Sequence, residues 1–495
     1  MAPRGSTLGE VSRRVGGRVV GDAEIWLSDV THDSRLAGPG SLFVAVRGAS
    51  HDGHAFIDDA VAAGSPAVAV ESPQEVAVGQ VVVEDTREAM GPMAAQVHGD
   101  PSTGLAVVGV TGTNGKTTVT HYVESLLVSA GHLAGLIGTV ETRVGTTVIP
   151  TSRTTPEATD FQRLLAEMGK LGADVVAAEV SSHALEMSRV AATRFAVAAF
   201  TNLSQDHLDF HGTMAAYRRA KERLFREYEV GTAVLNVDDP MGAELARWVV
   251  KAPLIRVGAD GEVRAEGLVT TRSGSSFDLV TDRGTYPVTS GPLGAFNVEN
   301  ALVAVGCCLA LGVGLDQIGP GLDTLRTVPG RLERVSGDGP VSVIVDYAHT
   351  PGGIEQVISV ARSIGARRVI AVVGAGGDRD RAKRPMMGRA ASAADVTILT
   401  SDNPRSEDPD EILHELTGGA GPDVVLEVDR HRAIERAIDA AEEGDVVLIL
   451  GKGHETGQEV RGDVLPFDDR AVAREILVAR GGSTVSGPGS GSMSQ

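Results

Sequence analysis

The sequence predicts an α/β protein of three domains, in which the central domain is a parallel sheet that carries a phosphate-binding type of loop. The length of 495 residues fits about three domains of ~100–200 residues each. From residue 105 onward, apolar strand-like runs alternate with helical segments, which is typical of parallel sheets covered on both faces. Aromatic residues make up only 3% of the chain, so the cores must consist of Val, Ala and Leu, as is common in such sheets.

Changes in the pattern of strand-like and helical segments predict domains at residues 1–103, 104–330 and 331–482. A disordered, low-complexity tail is predicted at 483–495. Within these domains we expect short elements first, then a strand–helix series, then antiparallel strands and helices, and finally a second strand–helix series. They are the strands 42–46, 67–70 and 81–83 with a helix at 54–63; the series 105–250; the antiparallel strands 262–290 and helices to about 325; and the strand-like runs VSVIVDY, RRVIAVVGA, DVTILTSD, DVVLEV and DVVLILG.

The net charge, the apolar runs and the cysteines of the chain indicate which partners and which cellular compartment to expect. The formal net charge is −20, which argues against nucleic-acid or membrane binding as the main activity but leaves room for an anionic substrate held by local cations. No signal-peptide core and no run of about 20 apolar residues is present, so we expect a cytoplasmic protein without membrane insertion. The adjacent Cys307 and Cys308 favour packing in a reducing compartment, with a redox or metal role as the alternative.

The segment AVVGVTGTNGKTTVTHY at residues 106–122 resembles a phosphate-binding loop, except that Val110 stands where the common pattern has glycine. A buried strand precedes the loop, and apolar side chains recur with helical spacing from Val119 to Ala130 after it. The loop therefore meets a helix N-terminus, where backbone N–H groups favour phosphate, with Lys116 near the terminal phosphates and Thr117 as a Mg²⁺ ligand. The alternative is an ordinary glycine-rich turn with a solvated lysine.

Four further polar residues follow strands or lie on or next to helices. Glu179 ends an apolar strand, where a second Mg²⁺ ligand is expected, unless it is simply solvated. His207 belongs to the run DHLDFH, which suits either a metal site or loop capping. Lys221 lies on a helical stretch and is either solvated or functional, and Asn297 either caps a helix or contacts a base.

Two residues at the start of the third domain could complete a nucleotide site with these groups. Asp346 ends a strand and could accept hydrogen bonds from a ribose, while Arg331 could hold phosphate. Both would face the loop if the third domain folds over the second.

Ten segments occur in the order found in the Mur ligases, so the chain is similar to that family over residues 29–470. They are GVTGTNGKTT, EVSSHAL, TNLSQDHLDFHG, AAYRRAK, GAFNVEN, GRLERV, DYAHTP, GGDRDRAKRP, SDNPR and GKGHE. The resemblance implies three domains with a Rossmann-like last one, and ATP-dependent amide bond formation through an acyl phosphate. It also implies ATP, two Mg²⁺ ions and a CO₂-derived carbamate on Lys221 as participants, and a monomer as the working unit.

The resemblance implies roles for individual residues by motif position. The catalytic group is Lys116, Lys221, His207 and Glu179, and the metal ligands are Thr117, Glu179, His207 and Lys221, the last as N6-carboxylysine. The ATP-binding residues are Gly112, Thr113, Asn114, Gly115, Lys116, Thr117, Thr118, Asn297, Arg331 and Asp346. The residues for the UDP-linked substrate are Ser34, Ala49, Ser50, His51, Arg153, Thr154, Thr155, Ser181, Met187 and Arg189, although Arg153 and Met187 replace amide residues of some relatives.

The motif D-N-P-R at 402–405 marks the family members that use meso-diaminopimelate. The implied substrates are therefore UDP-N-acetylmuramoyl-L-alanyl-D-glutamate and meso-diaminopimelate. The implied amino-acid contacts are Arg379, Asp402, Asn403, Pro404, Arg405, Gly451 and Glu455. Arg405 would hold the distal carboxylate and Glu455 the distal ammonium.

Alternatives remain at this stage. They are the same ligation with L-lysine, a related ligase such as folylpolyglutamate synthase or the Mur ligase that adds D-Ala-D-Ala, and a non-catalytic ATP-binding regulator.

Overall fold

A computed structural model describes residues 5–48, 51–248, 252–337 and 339–485. Three α/β units, each built on its own mainly parallel sheet, follow one another along the chain, which confirms the predicted fold class. Two predicted substrate contacts, Ala49 and Ser50, lie outside the described residues. Within the part that is described, no helix is long and apolar enough to cross a membrane.

The first unit is a five-stranded sheet in the order β2-β7-β6-β5-β4, parallel except for β2. Its elements are β1 (Ser6–Thr7), α1 (Leu8–Arg14), β2 (Arg18–Val20), β3 (Trp26–Leu27), β4 (Asp29–Thr31), β5 (Ser41–Val44), α2 (Ile57–Ala62), β6 (Ala67–Val70), β7 (Gly79–Val82) and α3 (Thr86–His98). The strands β5 and β6 are fully buried, as their apolar runs predict. The helix predicted at 54–63 is a 3₁₀ turn at Gly53–Phe56 followed by α2.

The central unit is an eight-stranded sheet in the order β11-β10-β9-β12-β8-β13-β14-β15. Its elements are β8 (Ala106–Thr111), α4 (Lys116–Ser129), β9 (Ala134–Ile137), β10 (Thr142–Val144), β11 (Thr147–Val148), α5 (Ala158–Lys170), β12 (Val175–Glu179), α6 (Ser182–Glu186), β13 (Phe195–Phe200), α7 (Leu208–His211), α8 (Met214–Arg226), β14 (Val230–Asn236), α9 (Pro240–Trp248) and β15 (Leu254–Val257). The predicted parallel core is present, but the hairpin β10–β11 adds an antiparallel edge that the sequence did not predict.

A small antiparallel sheet and two helices complete the central unit, as predicted for 262–325. They are β16 (Arg264–Thr271), β17 (Gly274–Thr281), β18 (Gly284–Gly291), α10 (Ala295–Ala310) and α11 (Leu315–Asp323). Cys307 and Cys308 are fully buried in α10 among aliphatic side chains, and burial raises the pKa of both thiols. Their surroundings therefore support packing as their role.

The third unit is a six-stranded sheet in the order β19-β20-β24-β21-β22-β23, parallel except for β19. Its elements are β19 (Glu333–Arg334), β20 (Ser342–Asp346), α12 (Pro351–Ser363), β21 (Val369–Ala375), α13 (Lys383–Ala391), β22 (Val396–Ser401), α14 (Pro409–Thr417), β23 (Val425–Leu426), α15 (Arg430–Asp439), β24 (Val446–Leu450), β25 (Gly457–Val460), β26 (Asp463–Pro466) and α16 (Asp469–Ala479).

Two details of the third unit differ from the sequence prediction. The polar hairpin β25–β26 was not predicted, and the run DVVLEV forms only the two-residue strand β23. The first residues of the segment predicted to be disordered are hydrogen-bonded, since Gly337 donates to the carbonyl of Ser483 at 2.7 Å and Val485 to that of Val335 at 3.2 Å. Residues 486–495 lie outside the described residues.

Candidate active site

The glycine-rich loop connects β8 to α4 at the edge of the sheet where β8, β12 and β13 all end. Gly112 has a φ of +151° and Gly115 a φ of +85°, values that favour glycine. A Cβ on Gly112 would lie 1.9 Å from Oγ1 of Thr201, and one on Gly115 2.3 Å from Oδ1 of Asn300. The loop is therefore a cradle in which glycine is required at 112 and 115, whereas Val110 lies inside the strand that precedes it.

Two lysines meet at this loop and share one acceptor. Nζ of Lys116 lies 3.0 Å from the carbonyl oxygen of Gly112 and 2.8 Å from that of Thr113. Nζ of Lys221 donates to the same Gly112 carbonyl at 2.7 Å and lies 4.3 Å from the ring centroid of Tyr217. Burial lowers the pKa of both ammonium groups, and that of Lys221 falls well below its ordinary value because Lys116 is also near.

Thr117 and Glu179 lie side by side, with Oγ1 of Thr117 donating to Oε2 of Glu179 at 3.0 Å. The backbone N–H of Thr139 donates to Oε1 of Glu179 at 2.7 Å, which fixes the carboxylate at the end of β12. Arg331 reaches across from the third unit and donates to Oγ1 of Thr117 at 3.0 Å. A hydroxyl and a carboxylate at this distance fit a Mg²⁺ ion, which takes oxygen ligands, beside the phosphate cradle.

The predicted histidine, His207, lines the same cavity as Lys116, Thr117 and Glu179. His207 has a φ of +53°, and the loss of hydration in the cleft lowers its pKa to about 3, so the imidazole is neutral and can bind a metal. Its neighbour Asp206 is buried, with His349 at 3.7 Å and Lys383 at 3.5 Å, both from the third unit. Among the described residues, no cluster of three or more His, Cys, Asp and Glu side chains forms a ready metal site.

A cavity between the second and third units contains most of the predicted ATP contacts. It is lined by Asn114, Gly115, Thr118, Asn236, Asn297, Asn300, Arg331, Asp346 and Tyr347. The guanidinium of Arg331 lies 4.5 Å from the ring centroid of Tyr347. Within the described part of the chain, Nε of Arg331 is buried without a hydrogen-bond partner, as expected of a donor that awaits an anion.

Asp346, the predicted ribose contact, lines this cavity and also accepts hydrogen bonds from the backbone around it. Its carboxylate accepts from the backbone N–H groups of Leu332 and Ala348, both at 2.7 Å. Leu332 has a φ of +42°, which is unusual for a branched side chain, and the carboxylate holds it there. Burial raises the pKa of Asp346, although Arg331 and these N–H groups oppose the rise. Asp346 thus orients the segment that presents Arg331.

The predicted contacts for the UDP-linked substrate line the cleft beyond the phosphate cradle. Arg153, Thr154, Thr155, Ser181 and Arg189 share one cavity with Lys116, Thr117, Glu179 and His207. Arg153 also lines a second cavity, which opens beside Asp33 and Arg35 of the first unit. The sulfur of Met187 lies 3.3 Å from Nη2 of Arg189, so Met187 adjoins the first of these cavities. Ser34 begins a 3₁₀ turn capped by Asp33, and His51 is exposed.

The predicted amino-acid contacts gather where β22 and β24 end in the third unit. Arg405 has a φ of +52°, donates from Nε to Glu459 at 3.1 Å, and donates to the carbonyl of Gly377 at 2.6 Å. Asn403 donates to Glu455 at 2.8 Å and accepts from the fully buried ammonium of Lys452 at 2.9 Å. Asp402 and Gly451 lie beside them, Pro404 precedes Arg405, and Arg379 lies exposed at the rim.

Sequence reasoning missed the residues that hold these contacts in place. Lys452 joins Asn403 to Glu455, and Glu459 neutralises Arg405. Lys452 could have been suspected, since it belongs to the quoted motif GKGHE, whereas Glu459 lies in a hairpin that no pattern marked.

Family models match the chain in three ranges. The Mur ligase middle domain matches residues 110–308, the Mur ligase glutamate ligase domain matches 330–453, and the Mur ligase family catalytic domain matches 27–98. Together they cover most of the three sheets described above.

Individual relatives extend this similarity over nearly the whole chain. The UDP-N-acetylmuramoyl-L-alanyl-D-glutamate--2,6-diaminopimelate ligase of Geobacillus thermodenitrificans (strain NG80-2) is 47% identical over 461 residues, which cover 90% of this chain and 94% of the relative. A solved structure of a ligase with the same name superposes with a TM-score of 0.70 at 32% identity, covering 96% of this chain and 99% of the other. The MurF ligase of Thermotoga maritima in complex with ADP superposes with a TM-score of 0.63 over 91% of this chain and 96% of its own. At 20% identity, this last likeness is one of fold alone.

Proposed function

The chain belongs to the Mur ligase family, and we propose that it is the ATP-dependent ligase that joins meso-2,6-diaminopimelate to UDP-N-acetylmuramoyl-L-alanyl-D-glutamate in peptidoglycan precursor synthesis. The observation that carries this choice is the turn at 402–405. It presents Arg405 at the end of β22, beside the Asn403–Glu455 pair at the end of β24. We also propose that the enzyme works in the cytoplasm, where ATP is supplied, and as a monomer.

The reaction must first turn an unreactive carboxylate into an electrophile. The substrate's glutamyl carboxylate attacks the γ-phosphorus of ATP, the bond to ADP breaks, and an acyl phosphate forms. The amine of diaminopimelate then adds to the acyl carbon, loses a proton, and expels phosphate. Lys116 and Arg331 flank the phosphate cradle and supply positive charge to the transferred group.

Thr117, Glu179 and His207 are the residues that would hold Mg²⁺ in this cleft, since they combine oxygen ligands with a neutral imidazole next to the cradle. When bound, the metal would screen the repulsion between the anionic carboxylate and the phosphates. Glu179 is held in place by Thr139, so this ligand is oriented before any ion arrives.

We propose that Lys221 carries the carbamate. A neutral amine adds to CO₂, forms an N–C bond and releases one proton, which leaves an anionic oxygen pair on the side chain. Burial lowers the pKa of Lys221 well below its ordinary value, so the neutral amine is the favoured form. The carbamate would then lie near the ammonium of Lys116, which would compensate its charge.

The amino-acid site supports diaminopimelate over L-lysine by charge. The distal carboxylate of diaminopimelate would pair with Arg405, and its distal ammonium with Glu455. Lysine lacks that carboxylate, so Arg405 would keep only Glu459 as its charged partner. The hydrogen bond to a charged group that is then missing is worth about 1.5–3 kcal/mol, or at least ~10-fold in selectivity.

The test is phosphate release and product mass from ATP, Mg²⁺ and UDP-muramoyl-dipeptide, with diaminopimelate, L-lysine and L-glutamate in parallel. We expect the diaminopimelate product to dominate. The variant Arg405→Ala should raise KM for diaminopimelate at least ~30-fold, while KM for ATP stays within about twofold. A wild-type enzyme that prefers lysine, or equal effects of Arg405→Ala on both KM values, would contradict the assignment.

A further inference from the structure

One buried carboxylate in the substrate cleft has no role in the reaction described above. Glu157 lies just before α5, and only 6% of its surface is exposed. It lines the cavity next to the first unit and follows the proposed substrate contact Thr155 by two residues in the sequence. Nothing in its local sequence marks it as functional.

Glu157 is the common partner of three arginines from two units. Its Oε1 contacts Nε of Arg189 at 3.0 Å and also the guanidinium of Arg153. Its Oε2 contacts Nη1 of Arg87, which projects from α3 of the first unit, at 3.2 Å. Burial alone would raise the pKa of Glu157, but Arg189, Arg87 and Arg153 together lower it.

The charges around Glu157 do not cancel. Three guanidinium groups surround one carboxylate, so the cluster keeps a net positive charge in a cleft that must accept an anionic substrate. Arg153 is half exposed, with 50% of its side chain accessible, while Arg189 is mostly enclosed at 13%. Both arginines can therefore keep Glu157 as a partner and still offer N–H groups to a ligand, because a guanidinium has five donors.

We propose that Glu157 is a positioning residue for the UDP-linked substrate: it orients Arg153 and Arg189 toward the anionic groups of that substrate and ties them to the first unit through Arg87. This inference rests on the proposed function, because it takes those two arginines as substrate contacts. Arg153 lines both the cavity beside the first unit and the one at the phosphate cradle. A substrate that extends from one cavity into the other would pass Arg153, so the orientation of this side chain should affect substrate binding.

The experiment compares the wild type with Glu157→Gln, which keeps the shape of the side chain and removes its charge. Calorimetry measures the binding of UDP-muramoyl-dipeptide without ATP, and steady-state kinetics measures kcat and the three KM values. We expect Kd and KM for the UDP-linked substrate to rise at least about tenfold, since a lost charge-assisted contact weakens the alignment of two arginines. The kcat should stay within about threefold, and the KM values for ATP and diaminopimelate within about twofold.

Two further variants separate positioning from general stability. Asp445 is a matched control, because it is a buried carboxylate that pairs with Arg367 at 3.0 Å and Arg368 at 2.7 Å in the third unit. Asp445→Asn should lower the thermal midpoint and leave KM for the UDP-linked substrate unchanged. Glu157→Asp keeps the charge and should recover part of the lost affinity, and it also serves if Glu157→Gln does not fold.

The outcomes are distinct. A wild type that ligates while Glu157→Gln binds the UDP-linked substrate normally overturns the positioning role alone. Equal losses in Glu157→Gln and Glu157→Asp also overturn it, because the negative charge at residue 157 would then not explain the affinity. A KM change in Asp445→Asn as large as that in Glu157→Gln overturns it as well, because the loss of any buried carboxylate would then have the same effect. A wild type that neither binds nor ligates the substrate overturns the proposed function itself.

Discussion

At the residue scale, the shared carbonyl of Gly112 brings the ammonium groups of Lys116 and Lys221 close together, which affects the protonation of both. Two ammonium groups that approach one acceptor repel each other, and burial adds to the cost of charging both. Both Glu179 and Asp206 compensate the charge of Lys116, whereas Asp206 alone does so for Lys221, whose pKa is lowered further toward the neutral form. The same side-chain type thus serves two purposes, a cation at the phosphate and an amine open to modification.

The variant Lys221→Met tests this division. Methionine fills the buried space next to Tyr217, so we expect the thermal midpoint to change little. We expect kcat to fall by about 10²–10³-fold, which is the usual effect of losing one charge-stabilising group. The control is Lys170→Met at the exposed end of α5, which should keep full activity. An unchanged kcat in Lys221→Met would reject the carbamate.

At the element scale, the ends of β22 and β24 depend on one buried ion pair. Arg430, at the start of α15, pairs with Asp469 at the start of α16 at 2.7 Å, and both side chains are inaccessible to solvent. The guanidinium also donates to the carbonyls of Ser401 at 3.3 Å and Leu450 at 3.0 Å, the last residues of these two strands. Two helices and two strands are thereby joined directly behind the amino-acid site.

Asp469→Asn should therefore destabilise the third unit strongly, because it leaves the charge of Arg430 buried and unpaired. We expect a loss of about 3–5 kcal/mol in the free energy of the unfolding transition that includes this unit, measured in urea. Asp439→Asn breaks a surface pair with Arg480 and should cost no more than about 1 kcal/mol. Similar losses in the two variants would show that the buried pair does not support the strand ends.

The elements that sequence patterns predicted are those with local signals. The loop at 112–117 follows from a strand, glycines and a helical repeat that are contiguous in the chain, and β8, β12, β13 and β21 follow from long apolar runs. The hairpin β25–β26 is polar and short, so no periodicity marked it. Pairs such as Arg430–Asp469, 39 residues apart, arise only when separate elements meet, and the sequence offers no signal for them.

At the scale of the whole molecule, all three units place cations in or beside the two cavities that share Arg153, although the net charge of the chain is −20. Arg87 reaches Glu157 from the first unit, while Arg331 reaches Thr117 and Lys383 reaches Asp206 from the third. The acidic surface therefore does not oppose anionic substrates, because the local field of the cleft is set by its own arginines and lysines. Residues from distant parts of the chain complete the site only when the three units are assembled.

Residues 483–485 contribute backbone hydrogen bonds to the third unit, and truncated chains test how much stability these bonds provide. At residues 483–485 the backbone still pairs with residues 335–337, which follow β19: the N–H of Gly337 donates to the carbonyl of Ser483, and the N–H of Val485 donates to the carbonyl of Val335. A chain that ends at Val485 should therefore keep the thermal midpoint and kcat of the full-length protein. A chain that ends at Gly482 loses both hydrogen bonds and should be less stable by about 1–3 kcal/mol, since each contributes roughly 0.5–1.5 kcal/mol. Differential scanning calorimetry of the two truncated chains and the full-length protein measures this difference. If the chain ending at Val485 were already destabilised or slowed, residues beyond 485 would have to contribute to the fold or the reaction.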